Sequence, residues 1–289
     1  MTNFKPLRSV LYMPASNTRA MDKAQTLPAD AVILDLEDGV AVDSKQAARV
    51  HAVDAVKGGA FGYRHTVIRV NAIGSKWYAE DVAAVAASDA DAVLLPKVNS
   101  AKDVQTICAD LAAAGAKETL ALWLMIETPA AIFALNDIAV ANPRTTCLVV
   151  GGNDLIKDLH ALHTPCRSAL ITALNMSVMA ARAHGLSVID VVYNGLQDHD
   201  GFVVECQHGR ALGFDGKTLI HPSQIDEANR IFAPSDEAVL EAQAVVAAFA
   251  DNNNQGKAVV VVNGKMVEEL HLLEAKRLIA FDAAIKKRG

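Results

Sequence analysis

The stretch AVILDLEDGV at residues 31–40 joins an apolar run to a polar end that carries Asp35, Glu37 and Asp38. Apolar runs rich in Val, Ile and Leu recur along the chain at residues 10–13, 31–36, 66–70, 92–95, 120–126, 147–150, 187–192 and 217–220. Short continuous apolar runs are typical of parallel strands that are buried on both faces. The sequence therefore predicts eight buried parallel strands.

The segments between these runs have helical spacing. Examples are SKQAARVHAVDAVKGG from Ser44, SAKDVQTICADLAAAG from Ser100 and SQIDEANRIF from Ser223, which open near Ser or Asp as helix caps require. Eight strand–helix units within residues 1–232 fit a closed (β/α)8 TIM barrel better than an open doubly wound sheet. The glycine motifs GxGxxG after the first run and GxxxxGK(S/T) are absent, which argues against dinucleotide-binding and P-loop folds.

Residues 233–289 have a different pattern. They contain an Ala-rich helical stretch, an Asn/Gly linker at NNNQG, a short apolar strand at 258–262 and a final helix. A segment of this size is too small to bury a good core alone. We therefore expect a C-terminal extension that packs on the barrel or on a neighbouring subunit.

Composition and charge exclude several classes of protein. The chain has 289 residues, and its 27 Lys and Arg against 33 Asp and Glu give a net charge of −6, so nucleic acid is not an expected partner. The amino terminus has no signal-peptide pattern, and no apolar run approaches the ~18 residues of a membrane helix, so we expect no membrane association. Four widely spaced cysteines without a CxxC pair favour reduced thiols and a cytoplasmic location.

Two acidic side chains stand at the ends of neighbouring predicted strands. Glu127 follows the fifth run in MIETP, and Asp154 follows the sixth in VGGNDL. The carboxyl ends of barrel strands form the mouth that carries the chemistry. Two carboxylates there, with no basic residue between them, repel each other unless a cation binds, and Mg²⁺ prefers oxygen ligands with several waters. The sequence therefore predicts a magnesium site at Glu127 and Asp154.

Arg69, at the end of the third run, supplies a fixed guanidinium at the same mouth. Such a group binds a carboxylate or stabilises an oxyanion as charge develops. Gly152 and Asn153 precede Asp154, where glycine lets a substrate or backbone come close. A metal, an arginine and a carboxylate-lined mouth indicate a small oxo-acid and enolate chemistry, in which a carbon–carbon bond beside a carbonyl is made or broken or an isomerisation passes through the same intermediate.

Other polar residues at the strand ends have structural interpretations beside catalytic ones. Asp35 or Glu37 could be a buried partner of Lys97 or could act in the reaction. Lys97 is interpreted as a paired, protonated cation, because a Schiff-base lysine needs an unusually apolar pocket. His221 is interpreted as the cap of the last barrel helix rather than as a catalytic group.

Six sequence blocks occur in order along the chain: RSVLYMPASNTRAMDKA from Arg8, AVILDLEDGV from Ala31, VIRVN from Val67, LLPKV from Leu94, MIETP from Met125 and GFDGKTLIHPSQI from Gly213. Together they resemble the citrate lyase beta-subunit-like family of the HpcH/HpaI aldolase superfamily. The resemblance implies a TIM barrel, a homotrimer or homohexamer, and dependence on Mg²⁺. It also implies lyase action on 3-hydroxy acyl thioesters that carry a second carboxylate.

The resemblance further implies roles for particular residues. It assigns metal ligation to Glu127 and Asp154, and contacts with the oxo-acid and the enolate to Arg69. It places the CoA thioester near the first βα loop, where Arg19 and Lys23 are candidates for binding it.

The tail is similar to the last segment of malyl-CoA and citramalyl-CoA lyases, whose acidic residue reaches the site of the adjacent subunit as an acid or base. Here NGKMVE at residues 263–268 has Glu268 where Asp is usual. The stem of this carboxylate is one methylene longer, and a shift of about 1 Å can cost on the order of 10²-fold in rate. The substrate or the activity could therefore differ from the family's usual one.

The reaction that the resemblance implies is a retro-Claisen cleavage, which gives acetyl-CoA or another acyl-CoA and a 2-oxo acid of the glyoxylate, pyruvate or oxaloacetate class. Alternatives remain open. The chain could be the beta subunit of a multi-subunit citrate lyase that acts on an acyl-carrier-protein thioester, or a metal-dependent pyruvate aldolase. It could also be a non-catalytic oligomeric ligand-binding protein.

Overall fold

The computed structural model describes residues 5–251 and 257–288, so the predicted linker NNNQG lies outside the described residues. The chain forms two compact units. The larger unit is Leu7–Phe232, and the smaller one includes the described residues from Ala233 onward.

The larger unit is a closed barrel of eight parallel strands, each hydrogen-bonded to the next in sequence order, with β1 closing onto β8. This confirms the predicted (β/α)8 TIM barrel, and each strand contains most of one predicted apolar run. The strands are β1 (Ser9–Pro14), β2 (Ala31–Asp35), β3 (His65–Arg69), β4 (Ala92–Leu95), β5 (Ala121–Ile126), β6 (Thr145–Val150), β7 (Ser187–Asp190) and β8 (Gly216–Leu219).

Helices follow the strands and cover the barrel. They are α1 (Thr18–Ala24), α2 (Lys45–Val56), α3 (Tyr78–Ala86), α4 (Ala101–Ala113), α5 (Pro129–Phe133), α6 (Leu135–Val140), α7 (Gly152–Asp158), α8 (Ile171–Ala183), α9 (His199–Leu212) and α10 (Ile225–Phe232). Local sequence fixes several of their ends: Ser100 and Asp103 form a capping box at the start of α4, and Gly213 ends α9 at φ 100°, which favours glycine.

Side-chain alternation along the strands separates two apolar cores. One core fills the barrel interior and includes Ile33, Val67 and Met125, whereas the larger core lies between the strands and the helices. Because successive side chains of a strand point to opposite faces, the residue two positions after an interior residue points inward again. Asp35 and Arg69 follow Ile33 and Val67 in this way, which places their side chains inside the barrel near its carboxyl end.

The smaller unit contains α11 (Asp236–Ala250), β9 (Val259–Val262), β10 (Lys265–Glu268) and α12 (Glu269–Lys286). The strands β9 and β10 form an antiparallel hairpin, and alternate valines of the hairpin pack against the helices. The sequence predicted β9 and both helices but did not predict β10. That strand has only one buried side chain, Val267, so its sequence carries little apolar signal.

A buried ionic network lies at the end of β7 and the start of β8. Arg167 Nη1 donates to Asp190 Oδ1 and Oδ2 at 2.7 and 2.8 Å. Lys217 Nζ lies 3.2 Å from Asp190 Oδ2 and donates to Glu205 Oε1 at 2.6 Å. The side chains of Asp190 and Lys217 are fully buried, so each charge depends on its partners.

We expect Lys217→Met to lower the free energy of unfolding by about 3 kcal/mol or more, because it removes the cation that pairs with Glu205 and one of the two cations of the buried Asp190, and so leaves excess negative charge in the network. Lys117→Met is the matched control: Lys117 pairs with Asp89 at 2.8 Å, but both side chains are more than half exposed, and such pairs contribute about 1 kcal/mol or less. Urea unfolding of both variants checks this. Equal stability of the two variants would contradict a structural role for the buried network.

Among the described residues, no helix combines the length and the apolar character that a bilayer crossing requires.

Candidate active site

A cavity of about 380 Å³ lies at the carboxyl ends of the barrel strands. Its wall is formed by Tyr12, Pro14, Asp35, Asp38, Gly39, Arg69, Met125, Glu127, Val150, Gly151, Gly152, Asn153, Asp154, Val192, Thr218 and Ile220. Most of the site residues predicted from the barrel sequence are therefore in one wall. A cavity of this size accepts a small acid.

Arg69 and Asp35 form a bidentate ion pair in this wall. Arg69 Nε donates to Asp35 Oδ1 at 2.6 Å, and Nη2 donates to Oδ2 at 2.7 Å. Asp35 also accepts the backbone N–H groups of Glu37 and Gly39, both at 2.8 Å. Burial alone would raise the pKa of Asp35, but the Arg69 charge and these hydrogen bonds hold it below its ordinary value. The pair therefore holds the permanently charged Arg69 guanidinium in a fixed position inside the cavity.

Glu37 lies behind this pair. Its Oε2 is 2.8 Å from Arg69 Nη1, yet none of the described residues donates a well-aligned hydrogen bond to this buried atom. Burial raises the pKa of Glu37 to about 8, although Arg69 opposes the shift. Glu37 is therefore a poorly solvated carboxyl that supports the position of Arg69.

Glu127 and Asp154 stand together, as predicted, but a basic residue does contact them. Lys97 Nζ lies 2.5 Å from Asp154 Oδ2 and 3.6 Å from Glu127 Oε1. The Lys97 backbone N–H also donates to Glu127 Oε1 at 2.7 Å. The premise that no cation neighbours these two acids is wrong, and the interpretation of Lys97 as a partner of Asp35 or Glu37 is wrong as well. Its interpretation as a paired cation is correct.

Burial and charge act differently on the two carboxyls. Burial raises the pKa of Glu127 to about 7, with Lys97 opposing the shift. Asp154 is more exposed, and although burial raises its pKa, the hydrogen bond and charge of Lys97 hold it below the ordinary value. The pair thus joins one readily protonated carboxyl to one that stays ionised.

The donor set of this pair fits a hard divalent cation. Glu127 Oε2 is buried and accepts no hydrogen bond from the residues that the structure describes, and the Lys97 ammonium shows that the pair already accommodates a positive charge. Within residues 5–251 and 257–288, no group of three or more His, Cys, Asp or Glu side chains could hold a metal. Two carboxylates completed by water and substrate oxygens are the ligation that Mg²⁺ tolerates best.

Glycine at position 151 lets the chain pass close to Glu127. A Cβ built on Gly151 would lie 2.5 Å from Glu127 Cβ and 2.6 Å from its Oε2. A Cβ on Gly152 would lie 2.8 Å from Val191 Cγ1. The two glycines are therefore required for packing at the cavity wall.

We expect Gly151→Ala to weaken Mg²⁺ binding by at least about tenfold, because the new methyl displaces the carboxylate of Glu127, a predicted ligand, while φ −96° at residue 151 lies outside the left-handed region that favours glycine. Calorimetric titration with Mg²⁺ measures this. Gly39→Ala is the matched control, since its Cβ meets Asp35 Oδ2 at 2.6 Å instead. Unchanged Mg²⁺ affinity in Gly151→Ala would argue against metal ligation by Glu127.

Of the remaining predicted residues in the barrel unit, two line the cavity and two do not. Gly152 and Asn153 line the cavity, and the Asn153 side chain donates to Asn194. Arg19 and Lys23 are exposed on α1 and are not part of the cavity wall, so thioester binding by them stays a prediction.

Glu268 lies in the smaller unit at the start of α12. Its carboxylate accepts the backbone N–H of His271, and its own N–H donates to His271 Nδ1 at 3.0 Å. This is a helix cap in which the side chain is exposed. A catalytic role of Glu268 stays a prediction.

Two other residues at the strand ends have structural roles. The His221 side chain caps the short helical turn Pro222–Gln224 by accepting the Ser223 N–H, as predicted. Asn71 is buried, donates to the Leu36 carbonyl and accepts from Lys45 Nζ at 2.8 Å.

Tyr12 is one of the cavity residues that sequence reasoning missed. It lies within an apolar run, so its hydroxyl gave no polar signal. The signal that could have found it is strand alternation, because Tyr12 follows the interior residue Val10 by two positions.

Comparison with known proteins agrees with this fold and shows the family of the chain. Residues 8–222 match the family model described as HpcH/HpaI aldolase/citrate lyase. The chain is 46% identical over 284 residues to the (3S)-malyl-CoA thioesterase of Cereibacter sphaeroides (strain ATCC 17025 / ATH 2.4.3), covering 98% of this chain and 97% of that protein. It is 35% identical over 266 residues to citrate lyase subunit beta of Escherichia coli (strain K12), covering 90% of this chain and 88% of that protein.

Solved structures show the same fold. The crystal structure of the protein CitE from Mycobacterium tuberculosis in complex with magnesium, acetoacetate and coenzyme A is 30% identical to this chain, with a TM-score of 0.76. The match covers 96% of this chain and 98% of that one.

Proposed function

The chain belongs to the HpcH/HpaI aldolase/citrate lyase family of enzymes, and from this membership we propose that it cleaves the CoA thioester of a 3-hydroxy dicarboxylic or tricarboxylic acid with the help of Mg²⁺. The observation that carries the proposal is one cavity with two charged sides. The Arg69–Asp35 pair and the Glu127–Asp154 pair both line it. Malyl-CoA is the substrate class that we place first, since a relative of 46% identity is named for it.

Carbon–carbon cleavage is the first candidate reaction. Glu127 and Asp154 would hold the Mg²⁺, which when bound polarises the hydroxyl or carbonyl oxygen of the acid. A base accepts the hydroxyl proton, the bond to the carbon beside the thioester breaks, and its electron pair forms the thioester enolate. Arg69, held by Asp35 and supported by Glu37, contacts the acid part of the substrate and also donates to the enolate oxygen. A proton from Glu268 of a neighbouring subunit then converts the enolate to acetyl-CoA or another acyl-CoA, and the other product is a 2-oxo acid.

Thioester hydrolysis is the second candidate, favoured by the thioesterase name of the 46% identical relative. In this reaction water adds to the thioester carbonyl, the carbon–sulfur bond breaks, and the thiolate takes up a proton to give CoA and the free hydroxy acid. Arg69 would again face the oxygen that gains negative charge. The cavity serves both reactions, so the products must distinguish them.

Product analysis with a panel of thioesters tests the proposal. Malyl-CoA, citramalyl-CoA, citryl-CoA and 3-hydroxy-3-methylglutaryl-CoA are incubated with the protein, with Mg²⁺ or with a chelator, and the products are quantified by mass spectrometry. An acyl-CoA with an oxo acid identifies the lyase, whereas free CoA with the hydroxy acid identifies the hydrolase; the oxo acid is a 2-oxo acid from the first three thioesters and acetoacetate from the fourth. No Mg²⁺-dependent turnover of any thioester would overturn the proposal and favour an acyl-carrier-protein substrate, as for a citrate lyase beta subunit.

For the lyase reaction we expect Glu268→Ala to lower turnover by about 10²-fold, which is the usual contribution of a positioned acid. Mg²⁺ affinity should change little, because Glu268 is not a predicted ligand. Steady-state kinetics and calorimetry measure the two quantities. The neighbouring Glu269→Ala is the comparison, and an unchanged rate in Glu268→Ala with a reduced one in Glu269→Ala would move the role to Glu269.

The assembly and location are part of the same proposal. We infer a homotrimer or homohexamer, which light scattering of the purified protein tests. We infer a cytoplasmic location because all four cysteines, Cys108, Cys147, Cys166 and Cys206, are free thiols, and a reducing compartment keeps thiols in this state.

A further inference from the structure

Tyr12 is a polar side chain of the cavity to which the proposed function assigns no role. It is the fourth residue of β1, half-buried, and its ring belongs to the apolar interior of the barrel. The residue also lines the cavity. A tyrosine in this position combines an apolar body with a hydroxyl near the carboxyl end of the barrel.

The Tyr12 hydroxyl has only a weak partner in the part of the chain that the structure describes. It donates to Met125 Sδ at 3.8 Å, and a thioether is a poor acceptor. Arg69 Nη1 approaches the same sulfur at 3.7 Å. The Tyr12 hydroxyl and Arg69 Nη1 therefore approach the same weak acceptor, the Met125 sulfur, on the cavity wall. An anionic oxygen of a bound substrate would form much stronger hydrogen bonds with both donors.

The surroundings fix the orientation and the protonation of this tyrosine. The Arg69 guanidinium lies 5.0 Å from the centre of the Tyr12 ring, so the ring is held by a cation–π contact. Burial raises the pKa of the Tyr12 hydroxyl well above its ordinary value; Arg69 opposes the shift, while Asp35, Glu127 and Glu37 add to it. The hydroxyl thus keeps its proton at neutral pH and remains a donor.

We propose that the Tyr12 hydroxyl is a substrate-binding donor that acts with Arg69 on one anionic oxygen of the acid part of the substrate. The inference rests on the proposed function, because it assumes that a small oxo-acid occupies this cavity. It extends that function by a second donor beside Arg69. The positive charge comes from Arg69, and Tyr12 supplies a neutral hydrogen bond beside it.

Calorimetric binding of glyoxylate and of pyruvate to the Mg²⁺-loaded protein tests the inference without any need for turnover. Tyr12→Phe removes only the hydroxyl and keeps the ring beneath Arg69. We expect it to weaken binding of the acids by about 10- to 100-fold, the usual range for a hydrogen bond to a charged group. The affinity for Mg²⁺ alone should stay within about twofold, because Tyr12 carries no metal ligand.

Tyr78→Phe is the matched control. Tyr78 is also buried and donates its hydroxyl to Asp110 Oδ2 at 2.8 Å, but it lies on α3 and outside the cavity wall. Its variant should bind the acids as the wild type does. Equal acid affinities in Tyr12→Phe and the wild type would overturn the inference while leaving the proposed function intact. A wild-type protein that binds neither acid would overturn the proposed function and this inference together.

Discussion

Replacing Glu127 with glutamine is expected to lower Mg²⁺-dependent turnover by about 10³-fold, which corresponds to the several kcal/mol that a Lewis-acid metal contributes. Glutamine has nearly the same shape but removes the charge that binds the cation. The other predicted ligand, the Asp154 carboxylate, then remains paired with Lys97, whose Nζ lies 2.5 Å from it. The cation site is therefore expected to be lost without a change of fold.

The measurement is steady-state cleavage of the best thioester of the panel, together with thermal unfolding. Glu118→Gln is the control, because it makes the same chemical change at an exposed glutamate in the loop before β5. It should keep wild-type turnover. Full activity of Glu127→Gln at saturating substrate would remove Glu127 from the list of metal ligands.

Replacing Arg69 with lysine is expected to lower kcat/KM by about 10² to 10³-fold, the range found when one donor to a developing oxyanion is removed. A lysine ammonium cannot make the two parallel hydrogen bonds that Arg69 gives to Asp35 and still face the substrate. Because positive charge is retained beside the buried Asp35, the protein should still fold. The loss should fall mainly on kcat, since the contact strengthens as negative charge develops.

Arg144→Lys is the matched control for this substitution. The Arg144 guanidinium donates to the carbonyl of Leu120, just before β5 and at the opposite end of the strand from the cavity. Its variant should keep wild-type kcat/KM. If Arg69→Lys and Arg144→Lys had equal kinetics, Arg69 would have no part in the chemistry.

The barrel could be predicted from the sequence because parallel strands covered on both faces are continuous apolar runs. Each observed strand contains most of its run; β4, at Ala92–Leu95, coincides with it. The strand β10 could not be predicted in this way, since three of its four side chains are exposed. The apolar signal of a strand depends on how much of it is buried.

The residues of the cavity could be predicted where a charged side chain ends an apolar run, as at Arg69 and Glu127. The ion-pair partners of these residues could not be predicted, because the strand ends show only which residues approach the mouth of the barrel. Lys97 adopts φ 53°, an unusual backbone angle for a residue other than glycine, and this geometry accompanies its contact with Asp154 rather than with Asp35. Such a turn is a property of the folded loop and leaves no pattern in the sequence.

Calorimetric titration of Mg²⁺ into the metal-free protein, with glyoxylate present, tests most directly whether Glu127 and Asp154 form the metal site on which the proposed function depends. We predict saturable binding of one Mg²⁺ per chain, weakened by at least about tenfold in Glu127→Gln and in Asp154→Asn and unchanged in Glu118→Gln. Wild-type protein that binds no Mg²⁺, or variants that bind it as tightly as the wild type, would contradict this assignment.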